Sequence, residues 1–212
     1  MKPINKIKEL YRGKGFTSIF VNIRFWDAPI IELEKFVPKG GEILDLGCGE
    51  GISTNYLALT SSKRKIIGIE INKERLKNAN HGLPNVEFKA GNILKTDFTS
   101  ADAIILTHVL HHLKSYKEQE LLLNKCCKVL KKNGKLIILE VDDKPYLKYL
   151  LSKFVDSFVV PVIFEKKMYD KVFFRNEKQW RELISPMGFK ISCKCLDEDK
   201  PFSHILFVAT KN

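Results

Sequence analysis

The chain has 212 residues, a mass of 24.4 kDa and a formal net charge of +11. Hydrophobic residues make up 44% and charged residues 29%. That balance excludes a disordered or collagen-like chain, and a core of this size folds without disulfide or metal staples. The basic excess invites an anionic partner. Only 6 of the 36 basic residues are arginine, however, and the guanidinium fork is the group suited to phosphate and base edges.

The first forty residues read as helical. They hold no apolar signal core, and the longest charge-free apolar stretch, 157–164, is far too short to span a membrane. A strand is expected at 43–47, followed by a helix at 53–59, a strand at 65–71, a helix at 73–79 with Asn72 as N-cap, and strands at 86–90 and 103–107. A helix over 116–130 closes at Asn133-Gly134. A strand at 135–141 precedes a long aromatic insertion, 142–176, in which 150–164 reads as a partly amphipathic helix broken near Pro161. A helix at 177–187 leads to two strands, 189–196 and 204–210, joined by a loop short enough for an antiparallel hairpin. The β-branched runs suit strands covered on both faces. The fold class is therefore α/β: a doubly wound, mostly parallel seven-stranded sheet whose last strand is antiparallel, with helices on both faces.

Asp45-Leu46-Gly47-Cys48-Gly49-Glu50-Gly51 lies between a strand and a helix. Glycines there allow a tight turn and close approach of a ligand. Counting three beyond Gly49 gives Ile52, so the dinucleotide pattern fails, and no Gly-Lys-Ser/Thr is present for a phosphate loop. Glu70 ends the second strand, 23 residues after Gly47, where a carboxylate can accept both hydroxyls of a ribose. Gly91-Asn92-Ile93 follows the third strand, and a side-chain amide there could read an adenine edge.

These three elements resemble the class I S-adenosylmethionine-dependent methyltransferases over about residues 40–141 and the last two strands. The resemblance implies S-adenosylmethionine as cofactor and S-adenosylhomocysteine as product. By it Asp45, Gly47, Cys48, Gly49 and Gly51 form the loop beside the methionine moiety, and Glu70 binds the ribose. Ile71, Asn92 and Ile93 meet the adenine, and Thr107 lies nearby. The family often has aspartate where Asn92 stands; asparagine accepts through its carbonyl oxygen without charge assistance.

Thr107-His108-Val109-Leu110-His111-His112 follows the fourth strand. The histidines are spaced to share one face if the segment is helical. His108 is the candidate general base, whereas His-His pairs at this place in family members with varied substrates favour a structural role for His111 and His112. No accompanying carboxylate set suggests a metal. Arg24 sits alone in the apolar stretch 16–26 and needs either an ion-pair partner or the cofactor's carboxylate. Tyr11, Phe16, Phe20 and Trp26 are available for a lid or for core packing.

The organisation expected is a single domain: a helical lid (1–40), a cofactor-binding core (41–141), a substrate-side insertion (142–176) and a C-terminal helix with a strand hairpin (177–212). The five cysteines are odd in number and form no C-x-x-C, which suits reduced thiols in the cytoplasm. The expected function is methyl transfer to a small-molecule or lipid-like acceptor, partly apolar, with peripheral contact to an anionic membrane as an option. Two rivals remain: an RNA methyltransferase, for which no base-flipping motif is found, and a cofactor-binding protein without transferase activity.

Overall fold

The computed structural model of the protein describes residues 1–155 and 172–212. Three N-terminal helices, α1 (Pro3–Leu10), α2 (Phe16–Asp27) and α3 (Ile30–Glu34), precede the sheet. There follow β1 (Gly41–Leu46), α4 (Ile52–Thr60), β2 (Arg64–Glu70), α5 (Lys73–Ala79), β3 (Val86–Ala90) and β4 (Ala101–Thr107). The chain continues through α6 (Tyr116–Val129), β5 (Leu130–Glu140), α7 (Tyr146–Phe154), α8 (Glu177–Ile184), β6 (Phe189–Cys195) and β7 (Ile205–Lys211). The expected break near Pro161 and the stretch 157–164 lie outside the described residues.

The sheet has the order β3-β2-β1-β4-β5-β7-β6. The pairs among β1 to β5 are parallel, and β7 runs antiparallel to both β5 and β6. Alternation along the strands feeds two cores. Leu44, Leu46, Ile104, Leu106, Leu136 and Ile138 pack with α6 and α8 on one face. Ile43, Ile66, Ile105, Ile137, Leu139 and Val208 pack with α3 and α4 on the other. Burying each such side chain contributes about 1.5–3 kcal/mol. A third cluster joins Ile7, Tyr11 and Val21 of the N-terminal segment to Ile52 and Tyr56 of α4.

Local signals set most boundaries. The Asn72 side chain accepts from the amides of Glu74 and Arg75, and the Ser115 side chain accepts from the Glu118 amide. Asn176 and Gln179 form a reciprocal capping box at the head of α8. One expectation is corrected. Asn133-Gly134 does not close α6, which stops at Val129. Asn133 has φ of 62° and lies within β5, where the register jumps from Leu130 opposite Ala101 to Lys135 opposite Ala103. The left-handed Asn133 thus shapes a bulge rather than a helix cap.

The strand order reverses between β1 and β4. In open α/β sheets that point, at the carboxyl ends of the strands, is where ligands bind. Among the described residues no helix is long and apolar enough to cross a membrane.

Candidate functional site

A cleft of about 1000 Å3 opens at this switch point. Arg24, Asp45, Gly47, Cys48, Glu70, Ile71, Asn92, Ile93, Thr107 and His108 all line it. Gly49 and Gly51 turn the loop without lining the cleft. Gly47 has φ of 77°, and a Cβ there would overlap the Val109 side chain. Gly51 has φ of 70° and caps α4, and its Cβ would meet the Phe88 ring at 2.7 Å. These two glycines are thus required by the protein's own packing as well as by the turn.

Glu70 ties the loop to β2. Its Oε2 accepts from the Gly49 amide at 3.0 Å and its Oε1 from the Asn72 amide at 2.8 Å. Each oxygen keeps a lone pair toward the cleft, the valence that a vicinal diol would use. Beside it Ile71 is 66% exposed, an apolar surface ready to pack on a flat ring. Asn92 spends one lone pair of Oδ1 on the Leu94 amide at 2.9 Å, forming an Asx turn. The Thr107 hydroxyl is buried and finds no hydrogen-bond partner among the described residues, which marks a place for a ligand polar atom.

Asp45 lies at the floor, 2% exposed, and accepts from the Thr54 hydroxyl at 2.6 Å. Burial lifts its carboxyl from 3.8 to about 6, opposed by the Thr54 hydrogen bond and reinforced by the Glu70 charge. Burial, with the Asp45 and Glu70 charges, raises the Cys48 thiol well above its usual value. Glu50 of the loop and Arg75 of α5 form a two-pronged ion pair at 2.8 Å. The sequence reading did not foresee this pair, whose partners are 25 residues apart.

The three histidines do not share a helical face. His108 has φ of 53°, an uncommon backbone state for a residue with a Cβ, and only Leu110–His112 forms a short 3-10 turn. Glu140 organises that turn: Oε1 accepts from the amides of Val109 at 3.1 Å and Leu110 at 2.8 Å, and Oε2 lies 2.5 Å from His111 Nδ1. His111 also stacks on Phe174, with ring centroids 4.8 Å apart. Its carbonyl accepts from the Phe173 amide at 2.9 Å. His111 therefore anchors the chain where it returns from the insertion. His112 faces the cleft, and burial holds it neutral. Among the described residues no group of three or more His, Cys, Asp or Glu side chains is placed to hold a metal ion.

Arg24 has an ion-pair partner in Asp27 and also lines the cleft. Its Nη1 is 3.4 Å from each Asp27 carboxylate oxygen, and its guanidinium projects into the cleft. Of the proposed lid aromatics, Phe20 lines the cleft. Tyr11 is fully buried and donates to the Glu50 carbonyl at 2.6 Å. Trp26 is 61% exposed, and the Phe16 side chain lies outside the described residues. His204, at the head of β7, lines the cleft beside His108; no local pattern announced it.

A family model described as a methyltransferase domain matches residues 38–196. The chain is 33% identical to indole glucosinolate O-methyltransferase 5 of Arabidopsis thaliana over 136 residues, which are 64% of this chain and 34% of the relative. It spans between 34% and 62% of the length of the curated relatives it matches. A S-adenosylmethionine-dependent methyltransferase structure from Methanosarcina mazei superposes with a TM-score of 0.64 at 23% identity, covering 86% of this chain and 97% of that one. Human N-acetylserotonin methyltransferase in complex with S-adenosylmethionine gives 0.68 at 20% identity, covering 96% and 58%. At these identities the structural likeness establishes the fold. With the family match spanning most of its length, the chain belongs to the class I S-adenosylmethionine-dependent methyltransferases.

Proposed function

We propose that this protein transfers a methyl group from S-adenosylmethionine to a small, partly apolar acceptor. One observation carries the reading: the same cleft is lined by Glu70, Ile71 and Asn92 at the ends of β2 and β3, which suit an adenosine, and by the apolar Val141 and Phe202 beside β5 and β7, across the switch point. Indole glucosinolate O-methyltransferase 5 and N-acetylserotonin methyltransferase are named for partly apolar small acceptors and support an acceptor of that kind, whereas other relatives are named for trans-aconitate and for a protein lysine.

When bound, S-adenosylmethionine supplies an electrophilic methyl group on its sulfonium. This chain's residues then have three tasks. Glu70 holds the ribose through its free lone pairs, with Ile71 and Ile93 against the adenine and Asn92 at its edge. Asp45, Gly47 and Cys48 line the methionine side, where Arg24 faces the carboxylate and Thr107 offers its hydroxyl. The apolar side excludes water and aligns the acceptor, the main source of acceleration for a bimolecular displacement. His108, which follows β4 between the two sides, is placed to receive the acceptor's proton.

Calorimetry with S-adenosylhomocysteine tests the cofactor half. Label transfer from methyl-labelled S-adenosylmethionine to a panel of indoles, phenols and lipids tests the acceptor half. Failure to bind S-adenosylhomocysteine would overturn the reading, and transfer to RNA alone would replace the acceptor class.

A further inference from the structure

His108 sits in a hydrogen-bonded row whose two ends are chemically fixed. At one end Arg24 Nη2, which can only donate, lies 3.4 Å from His108 Nδ1. At the other end the Asp27 carbonyl, which can only accept, lies 2.8 Å from His204 Nε2. Between them His108 Nε2 and His204 Nδ1 are 3.2 Å apart. Two neutral imidazoles have one donor and one acceptor each, so only one arrangement satisfies every contact. His204 Nε2–H donates to Asp27, His204 Nδ1 accepts from His108 Nε2–H, and His108 Nδ1 carries the lone pair. A proton on His108 Nδ1 would oppose the Arg24 guanidinium and leave His204 Nδ1 facing a second lone pair.

We propose that His204 is a positioning residue: it holds His108 in the Nε2–H form, so that Nδ1 carries the lone pair, beside Arg24. The inference rests on the methyl-transfer reading for its purpose and on the hydrogen-bond row for its geometry. The step it serves is a proton transfer. The acceptor's O–H or N–H bond breaks and its electron pair stays on the acceptor atom; Arg24 Nη2 turns from His108 Nδ1 toward that anion, and the proton adds to the Nδ1 lone pair so released. His108 then donates from both nitrogens and later returns the proton to water.

The surroundings define which acceptors suit this base. His108 is faced by Arg24 from α2, by His204 from just before β7, and by His111 and His112 from the turn that follows it. Burial, then His204 and Arg24, hold it neutral well below the usual histidine range. The Arg24 guanidinium beside Nδ1 suits an acceptor that leaves an anion for it to face.

Nitrogen-15 spectra of histidine-labelled protein test this directly. In the wild type near neutral pH, His108 and His204 should both be neutral and protonated at Nε2. In His204→Phe, His108 should lose its single form and show a mixture of tautomers, while S-adenosylhomocysteine affinity stays unchanged. His204→Gln, whose amide can accept from His108 and donate to the Asp27 carbonyl, should restore the Nε2–H signature. A wild-type His108 protonated at Nδ1 overturns the proposal even if neither variant folds. So does a Phe variant whose His108 spectrum is unchanged. If the wild type fails to bind S-adenosylhomocysteine, the methyl-transfer reading falls, and the spectra still decide the role of His204.

Discussion

The Gly49 amide donates to Glu70 Oε2 at 3.0 Å, so the same carboxylate shapes the loop after β1 and closes the end of β2. Removing it should act on both. Glu70→Ala is expected to weaken S-adenosylhomocysteine binding by about 1–3 kcal/mol and to destabilise the protein by a similar amount, because two amides lose their acceptor. Glu70→Gln should recover part of the stability and little of the affinity, since Gln keeps one acceptor oxygen and puts a donor NH2 in place of the other. Calorimetry and thermal unfolding separate the two effects. Unchanged affinity in the Ala variant would remove Glu70 from the ribose.

Gly47→Ala meets two obstacles. A left-handed backbone costs a non-glycine residue roughly 1–2 kcal/mol, and the added methyl overlaps Val109. Adding Val109→Ala should relieve the overlap and leave the backbone cost. The double variant should therefore bind S-adenosylhomocysteine better than Gly47→Ala alone. If the single variant binds like wild type, the loop does not need its positive φ.

Tyr11 staples α1 to the glycine loop, donating to the Glu50 carbonyl at 2.6 Å and accepting from Asn55 Nδ2 at 2.8 Å. Tyr11→Phe should cost about 1–3 kcal/mol, since a buried amide and a buried carbonyl lose a partner. Limited proteolysis should then cut 1–27 sooner than the sheet. Equal protection of that segment in the two proteins would show that the staple is redundant.

Acid should unfold the protein through its histidines. Burial holds His204 down to about 4, and holds His108 and His112 well below 6.5. As the pH falls below 6.5 the unfolded chain takes up these protons and the folded chain does not, so stability drops until the folded values are passed. Asp45 works in the opposite sense: its folded carboxyl binds a proton near 6 and its unfolded one only near 3.8, so falling pH there favours the fold. His81 adds to the loss and the raised Asp27 and Asp142 oppose it, while the lowered carboxyls of Glu34, Asp102 and Glu177 add to the loss at more acid pH, so the balance falls toward unfolding. His204→Gln should shrink the difference in urea-unfolding free energy between pH 7 and pH 5 by about 2 kcal/mol. A flat profile in the wild type would contradict the buried neutral histidines.

The strands and the glycine-loop side of the cleft were legible because their signals are local. Asp45 through Gly51, Glu70 and Asn92 each sit within a few residues of a strand end, and the parallel sheet brings those ends together. The rest depends on distant pairing. His204 meets His108 across 96 residues of sequence, and only the insertion of β7 beside β5 creates the contact. The histidine spacing suggested a helix, but the Glu140 carboxylate captures the amides of Val109 and Leu110 and sets a different turn. Asn133-Gly134 looked like a helix stop because the same left-handed backbone serves a strand bulge equally well.

The placement of β7 between β5 and β6 has a consequence for the growing chain. β5 ends at Glu140 and its outer neighbour begins at Ile205. During synthesis at about 5–20 residues per second, the apolar edge through Leu136 to Leu139 stays open for several seconds before its partner is made. An unpaired edge of that kind is a template for association with other chains. The ribosome-bound intermediate is thus the form of this protein most exposed to aggregation, and the same late strand that seals it delivers His204 to the cleft.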